Sequence, residues 1–481
     1  MTNLGNLAAE EFKWVELGDQ RLNERAAKIA RKLAEKPAAS FPKALSEAEL
    51  TGYYRFVNQE EVTFESLLES HVESSKRRAE GLRRIIVAHD TTDFRFKNEE
   101  VREGLGPMDN GGQGFYAHVS VAFDSARQPL GTLAVEPWTR EPKDPNAPKP
   151  TQKERYESPD KEPLRWMRAV HRVEKEMAGL DCEIIHVMDR EADDYNILAE
   201  LIGEQYRFVV RSSTDRLLSE EDLGENAQKK LRPFARELEV RFERSAELAH
   251  RKKKRPAKQL KTFPPRKMRK AQLSFSAGPV TIRRPDAADE NLPSKLELNV
   301  VHVVELNPPE GVEPVEWFLF TKQPIETDEQ IARIVDDYRA RWQIEEFFKA
   351  LKTGCGYEKR QHESKHALLN ALAIFLTIAW QLLLLRHVSR APETRDLPAT
   401  EFLSPTQLHI IHAKSEGRLR ATPSVRDVVL ALARFFGGHL RANGEPGWQV
   451  LGRAYESLLA HESGWRLAIK ASSLLPKDLP L

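Results

Sequence analysis

The chain has 481 residues, room for about two to four domains and a sizeable core. Charged residues make up 31% and hydrophobic ones 40%, as in a soluble globular protein, and two cysteines (Cys182 and Cys355) are too few for a disulfide framework or a cysteine-based zinc site. Lys plus Arg number 74 against 73 Asp plus Glu, but residues 251–270 hold eleven basic side chains and no acid, which leaves 63 basic against 73 acidic elsewhere; positive charge is concentrated, as a phosphate-binding surface needs.

Residues 1–65 read as helical. Leu22, Ala26, Ile29 and Leu33 share one face of a helix over 19–33, with Arg21, Arg25, Lys28 and Lys32 on another. The first residues are polar and acidic and lack a signal-peptide profile. Pro37 and Pro42 bracket a break, and a second helix is expected over 46–57. Strands begin at Arg84: residues 85–90 are a short apolar run ending in Asp90. After the Gly-rich turn 110–114, segments 116–123 and 129–136 read as strands, and the Pro- and Lys-rich 143–153 as a surface loop. A helix is expected over 162–177, a strand over 183–189 ending in Asp189, a helix over 191–204 and a strand over 206–211 ending in Arg211.

From about 214 to 317 short alternating runs (238–242, 271–275, 296–304) between basic or Pro-rich turns predict a β-rich insertion. Trp317 lies in a strand over 315–320, and helical periodicity resumes over 328–352. Residues 367–385 carry no charge and are nearly long enough to span a bilayer. Asn370, Thr377 and Gln381 interrupt the run and no second span exists, so a buried core helix is expected and no membrane partner. Beyond 387 the chain reads as mostly helical, with a Pro-rich linker over 392–405. The fold class is thus α/β, with carboxylates at the carboxyl ends of strands, where side chains clear the packed sheet.

The helix over 328–352 carries the chemistry. At about 100° per residue, Tyr338, Arg341, Glu345 and Lys352 share an arc of about 60°, and Trp342 lies near it. Ala340, Ile344, Phe347 and Leu351 take the opposite, buried side. A charged helix face is more often merely solvated. Two strand-terminal aspartates with a helical glutamate, however, supply hard oxygen donors of the kind Mg²⁺ prefers. Two such ions about 4 Å apart activate a water or a 3′-hydroxyl and stabilise the leaving oxygen at a phosphodiester, while Arg and Lys neutralise phosphate charge. Asp93, Asp193 and Asp194 compete as ligands; Asp90 and Asp189 are preferred because each directly ends an apolar strand. The histidines show no metal-ligand spacing, and the cysteines read as packing residues.

These residues also resemble a family. Tyr338-x2-Arg341-x3-Glu345-x6-Lys352 fits the Tyr-Arg-Glu-Lys signature of the insertion-sequence-four transposases, and residues 338–354 are similar to the Tn-five-like branch. Asp90-Thr91-Thr92 resembles the first acidic motif; Asp189-Arg190-Glu191-Ala192-Asp193, followed by Arg207-Phe208-Val209-Val210-Arg211-Ser212, resembles the second. Gly18-Asp19-x-Arg21 and Tyr54-Arg55-Phe56 look like the N-terminal part, and 435–440 with 444–448 like the C-terminal part.

The resemblance implies a ribonuclease-H-like catalytic core with a β-rich insertion, flanked by helical N- and C-terminal domains. It divides the chain into a DNA-end-binding domain (1–65), a catalytic domain (66–386, insertion about 214–317) and a dimerisation domain (387–481). Asp90, Asp189 and Glu345 would hold two Mg²⁺ ions, with Mn²⁺ as a substitute. Tyr338, Arg341, Lys352 and Arg211 would contact phosphates, and Trp317 would receive a flipped base, with Trp342 a further aromatic candidate. Arg21, Arg25 and Arg55 would read transposon ends. The implied activity is cut-and-paste transposition, by nicking, hairpin formation and strand transfer. The implied partners are double-stranded DNA (transposon ends and target) and a second copy of the chain, in a bacterial, nucleoid-associated cytoplasmic setting. Two rivals remain: a catalytically idle DNA-binding inhibitor, and a metal-dependent nuclease without strand transfer.

Overall fold

A computed structural model describes residues 4–96, 100–109, 111–142, 162–219, 229–248, 267–440 and 445–472. The chain opens with helices α1 (Leu4–Glu10), α2 (Gln20–Glu35), α3 (Phe41–Ala44), α4 (Glu47–Val57) and α5 (Phe64–Ala79). Local capping sets the starts of three of them. Asp19 accepts from the Arg21 amide at α2, Ser46 and Glu49 form a reciprocal capping box at α4, and Thr63 caps α5. The face of α2 that carries Ala26, Ile29 and Leu33 is buried, and Arg21, Arg25 and Lys28 stay exposed.

The central sheet starts as an antiparallel meander of β1 (Arg84–Phe96), β3 (Gln113–Phe123) and β4 (Pro129–Trp138), with the short β2 (Gly106–Pro107) also on β3. After α6 (Glu162–Met177), β5 (Glu183–Met188) pairs parallel to β1 on its other side. A 3₁₀ turn (Arg190–Ala192) and α7 (Tyr195–Gly203) lead to β6 (Arg207–Arg211), parallel to β5. The single helix expected over 191–204 is therefore broken: Asp194 caps a new helix at Tyr195.

Residues 214–317 hold a short helix, α8 (Leu231–Glu237), and strands β7 (Val240–Leu248), β8 (Arg269–Arg283) and β9 (Lys295–Leu306), followed by β10 (Glu316–Thr321). β10 pairs antiparallel with β6, so these strands extend the central sheet instead of standing apart. The order is β2-β3-β1-β5-β6-β10-β9-β8-β7 in a ten-stranded sheet, with β4 also on β3. One face, with Ile86, Ala88, Ile185, Val187, Val209 and Leu319, shares a core with Ile331, Ile334 and Val335 of α9 (Asp328–Ala340) and with α11 (Lys365–Val388). The other face packs Met188, Phe208, Val210 and Phe320 against α6 and α7.

α11 is the apolar run. Among the described residues it is the one helix long and apolar enough to cross a membrane, and 89% of its most apolar window is buried inside the chain. The Asn370 amide nitrogen donates to the Val57 and Val62 carbonyls at 3.0 and 2.6 Å, and the Thr377 hydroxyl to the Ile374 carbonyl at 2.8 Å, while Asn370 Oδ1 has no partner among the described residues. The expected core helix is what the structure shows.

Two expectations need correcting. β1 does not end at Asp90; it runs to Phe96, because β3 goes on pairing with it as far as Phe96↔Gln113 after β5 has stopped at Ala88↔Val187. The apolar run stops where one neighbour leaves, not where the strand stops. Nor is 328–352 one regular helix. It comprises α9, a step at Arg341, α10 (Trp342–Lys349) and a π-turn (Ala350–Gly354). At the step the Arg341 amide bonds to the Tyr338 carbonyl at 3.1 Å, which tightens the ladder. At the π-turn Cys355 bonds back to Ala350 at 2.8 Å, which widens it. The chain continues through α12 (Pro405–Lys414), α13 (Val425–Phe435) and α14 (Trp448–Ser472).

Candidate active site

Strand register builds the site. β1 and β5 pair Ile86↔Ile185 and Ala88↔Val187, and Asp90 and Asp189 each follow two places beyond that last pair, close enough for the Asp189 charge to act on Asp90. β5 and β6 pair Val187↔Val209, which sets Asp189 level with Arg211, itself opposite Leu319 of β10. Side chains alternate along a strand, so Asp90 and Asp189 share the face of Ile86, Ala88, Ile185 and Val187, the face under α9 and α11. Asp189 also caps the 3₁₀ turn that follows it, accepting from the Glu191 amide at 2.8 Å.

Arg341, at the step between α9 and α10, reaches down to this row. One guanidinium nitrogen donates to Asp90 Oδ2 at 3.1 Å and the other to Glu345 Oε1 at 3.1 Å. Burial pushes the Asp90 carboxyl up to about 7; Arg341 opposes this, and the charges of Asp189 and Glu345 add to it. Burial also raises Glu345, against Arg341 and Lys349. The Arg341 guanidinium is held above its usual range: Tyr338, Asp90, Asp189 and Glu345 outweigh its burial. Three carboxylates thus lean on one guanidinium, and further positive charge there would be stabilising.

The donor set is all oxygen, which fits a hard divalent cation. Among the described residues no three His, Cys, Asp or Glu side chains form a ready-made metal cage. Arg341 stands between two of the three acids instead.

Beside the acids lies an aromatic and cationic cluster. Trp317 meets Tyr338 edge-on, ring centres 5.4 Å apart, and Arg211 lies 5.9 Å from the Trp317 ring. Tyr338 is buried and Trp317 half-buried. Trp342 is 54% exposed, with the Lys349 ammonium 5.2 Å from its ring.

Lys352 lies in the π-turn, two turns and about 10 Å beyond Glu345. It meets Asp93, three residues beyond Asp90 on β1, and not the Arg341–Glu345 pair. Its ammonium bonds to the Asp93 carbonyl and lies 3.1 Å from the Asp93 carboxylate and 4.0 Å from Glu358. Lys352 lines a groove of about 560 Å³ with Arg95, Arg102, Lys359 and Arg360.

Arg21, Arg25 and Arg55 lie exposed on α2 and α4, Arg21 paired with Asp19 at 2.9 Å. Of the basic run, residues 251–266 lie outside the described residues; Arg269 starts β8 and pairs with Glu305 at 2.8 Å.

The competing acids have other partners. Asp193 is buried on Arg216 at 2.6 Å and accepts from the Ser213 and Thr214 amides at 2.7 and 2.9 Å. Asp194 caps α7. Asp93 is held below its usual range: burial would raise it, but Lys352 and Arg95 prevail.

Sequence reading missed the opposite face of the same strands. His89 Nε2 and His186 Nδ1 lie 2.9 Å apart, Ser120 bonds His89 at 2.9 Å, and Glu174 bonds His186 at 2.8 Å. Next to them His118 bonds Thr91 at 3.0 Å. Burial drives His89 well below its usual value and His118 down to about 3, so both are neutral. The available signal was parity: each histidine sits on a strand at the position facing away from the acids.

Residues 5–62 match a family model described as transposase DNA-binding, and residues 168–382 one described as transposase DDE domain. The chain is an enzyme that acts on DNA. More narrowly, it is a DDE-type DNA transposase. The second match spans Asp189 and Glu345 but begins after Asp90, whose place rests on the register. A solved piggyBac transposase synaptic complex with hairpin DNA is similar over 100% of this chain and 78% of that one, at 12% identity and a TM-score of 0.35, too slight a likeness to bear on mechanism.

Proposed function

We propose that this transposase moves DNA by cutting and pasting, as the insertion-sequence-four family with its Tyr-Arg-Glu-Lys signature does. Asp90, Asp189 and Glu345 would hold two Mg²⁺ ions, or Mn²⁺ in their place. The observation that carries this reading is Glu345 joined to Asp90 through Arg341, with Asp189 near enough to act on Asp90. Bound there, such ions supply an activated water or 3′-hydroxyl and stabilise the departing oxygen.

The chain's own groups do the rest. Arg341, Arg211 and Lys352 bring guanidinium and ammonium donors to phosphate oxygens, and the Tyr338 hydroxyl adds another donor. Trp317, between Arg211 and Tyr338, offers an aromatic edge for a base turned out of the stack at a hairpin. An antiparallel meander (β4-β3-β1) continued by two parallel strands (β5, β6) supports a ribonuclease-H-like core. We assign end recognition to residues 1–65, with Arg21, Arg25 and Arg55, catalysis to 66–386, and pairing of two copies to 387–481. Two ends cut in concert favour a two-fold assembly.

The test is incubation of the full chain with Mg²⁺ and the inverted repeats that flank its gene. Nicked, hairpin and joined products are expected in that order. Cut ends without hairpin or joined product would assign a nuclease, and binding without cutting an idle inhibitor.

A further inference from the structure

Glu346 follows Glu345 on α10, but its carboxylate goes to other partners. Its Oε2 accepts from the indole nitrogen of Trp448 at 3.0 Å and from the Arg386 guanidinium; its Oε1 accepts from Lys349 at 2.7 Å. Trp448 is the first residue of α14, and Arg386 lies in the last turn of α11. The Arg386 guanidinium also lies 4.7 Å from the centre of the Trp448 ring. The carboxylate is largely buried, its side chain 13% exposed.

α14 makes a second contact one turn further on. A β-carbon on Gly452 would stand 3.3 Å from the Gly354 carbonyl oxygen, a tight approach of α14 to the π-turn. One on Gly354 would meet Leu382 at 3.3 Å and Trp448 at 3.9 Å. The segment leading into α14 is tied down as well, Pro446 to Arg390 at 3.0 Å and Glu445 to Arg426 at 2.5 Å. The start of α14 therefore grips the segment that carries Glu345 and Lys352 at two points.

Neighbouring residues on a helix are about 100° apart, so pinning one fixes the rotation of the other. We propose that Trp448 and Arg386, acting through Glu346, are positioning residues that set the rotation of α10 and so place the Glu345 carboxylate against the Asp90–Asp189 row. The inference rests on Glu345 being a metal ligand, as proposed above. It makes the C-terminal helices part of the catalytic apparatus: whatever moves α14 moves the third acid.

The test uses the full chain with Trp448→Phe, which keeps an aromatic ring and removes the donor, beside Glu346→Gln and Glu345→Gln. Mn²⁺ binding is followed by calorimetry, DNA-end binding by gel shift, folding by melting temperature, and nicking as a function of Mn²⁺. For Trp448→Phe we expect DNA binding within about twofold of wild type, and Mn²⁺ binding and half-saturation of nicking weakened about tenfold, the scale of lost outer-shell support at metal sites. Excess Mn²⁺ should restore most of the nicking rate. Mn²⁺ binding unchanged in folded Trp448→Phe, or a rate loss that follows the melting temperature and ignores added Mn²⁺, overturns the proposal. If Trp448→Phe does not fold, Glu346→Gln reads the same quantities with the acceptor kept. Glu345→Gln separates the two readings: if it leaves Mn²⁺ binding and nicking intact, the metal assignment falls and this inference with it; if it acts and Trp448→Phe does not, only this inference falls.

Discussion

Arg341 donates to Asp90 across 3.1 Å, joining a break between two helices to the middle of a strand 251 positions earlier. The same guanidinium holds Glu345 at 3.1 Å, so one cation is shared by two of the three acids. On the proposed metal assignment, a bound ion would compete with Arg341 for those oxygens. Arg341→Ala is expected to bind Mn²⁺ at least as tightly as wild type, yet to cleave DNA about a hundredfold more slowly for want of a phosphate donor. Calorimetry and single-turnover nicking check this; a parallel fall in both would show that Arg341 does not contest the carboxylates.

Glu345→Gln and Asp189→Asn keep shape and remove charge. Each is expected to lower nicking at least about a thousandfold, the several kcal/mol that metal coordination supplies, with end binding unchanged. Either variant retaining cleavage would remove that residue from the metal site.

Asp90 sets a pH dependence. Burial first, then the nearby Asp189 and Glu345 charges, lift its carboxyl from an ordinary 3.8 to about 7, against the pull of Arg341. A carboxyl raised in the folded state stabilises the fold fully at pH values below its unfolded pKa, and that stability is lost as pH rises through the folded one. The metal-free chain should therefore lose melting temperature between about pH 4 and about pH 7 more steeply than Asp90→Asn does. Mn²⁺ affinity should climb over the same window and level off above about pH 7, as the ligand sheds its proton. Parallel melting curves for the two proteins would contradict this.

Trp317 touches both Tyr338 and Arg211. Trp317→Ala should cost about 1–3 kcal/mol of stability as a half-buried aromatic, and should slow hairpin formation well beyond nicking. Equal slowing of the two steps would make the ring a packing element for Tyr338 and nothing more.

Asp193 is a control for the acids. It is buried on Arg216 and two backbone amides, far from solvent. Asp193→Ala strands a buried arginine and should destabilise by about 3–5 kcal/mol, while whatever protein folds at low temperature keeps its Mn²⁺ affinity. Lost metal binding in the folded variant would return Asp193 to the list of ligands.

How much of this was legible in the sequence depended on range. The runs before Asp90 and Asp189 were readable because a strand buried on both faces is apolar throughout. That β1 continues past Asp90 was not, since it depends on pairing with β3. The step at Arg341 had no glycine or proline to announce it. The Glu346–Trp448 bond and the three histidines bring together residues far apart in the chain, and no local pattern marks them. The spacing of Tyr338, Arg341 and Glu345 marked one helical face, and Arg341 does meet Glu345, at 3.1 Å.

The two faces of the sheet check one another. Neighbouring strands lie about 4.8 Å apart where they pair, so the ladder up to Ala88↔Val187 sets where Asp90 and Asp189 leave it. A slip of one residue between β1 and β5 would send one carboxylate to the far face. It would also part His89 from His186, now 2.9 Å apart in a dry interior. His186 pairs with Val87, so its contact with His89 is diagonal; the buried histidines thus act as a vernier, meeting only in the register that turns both acids to the other face.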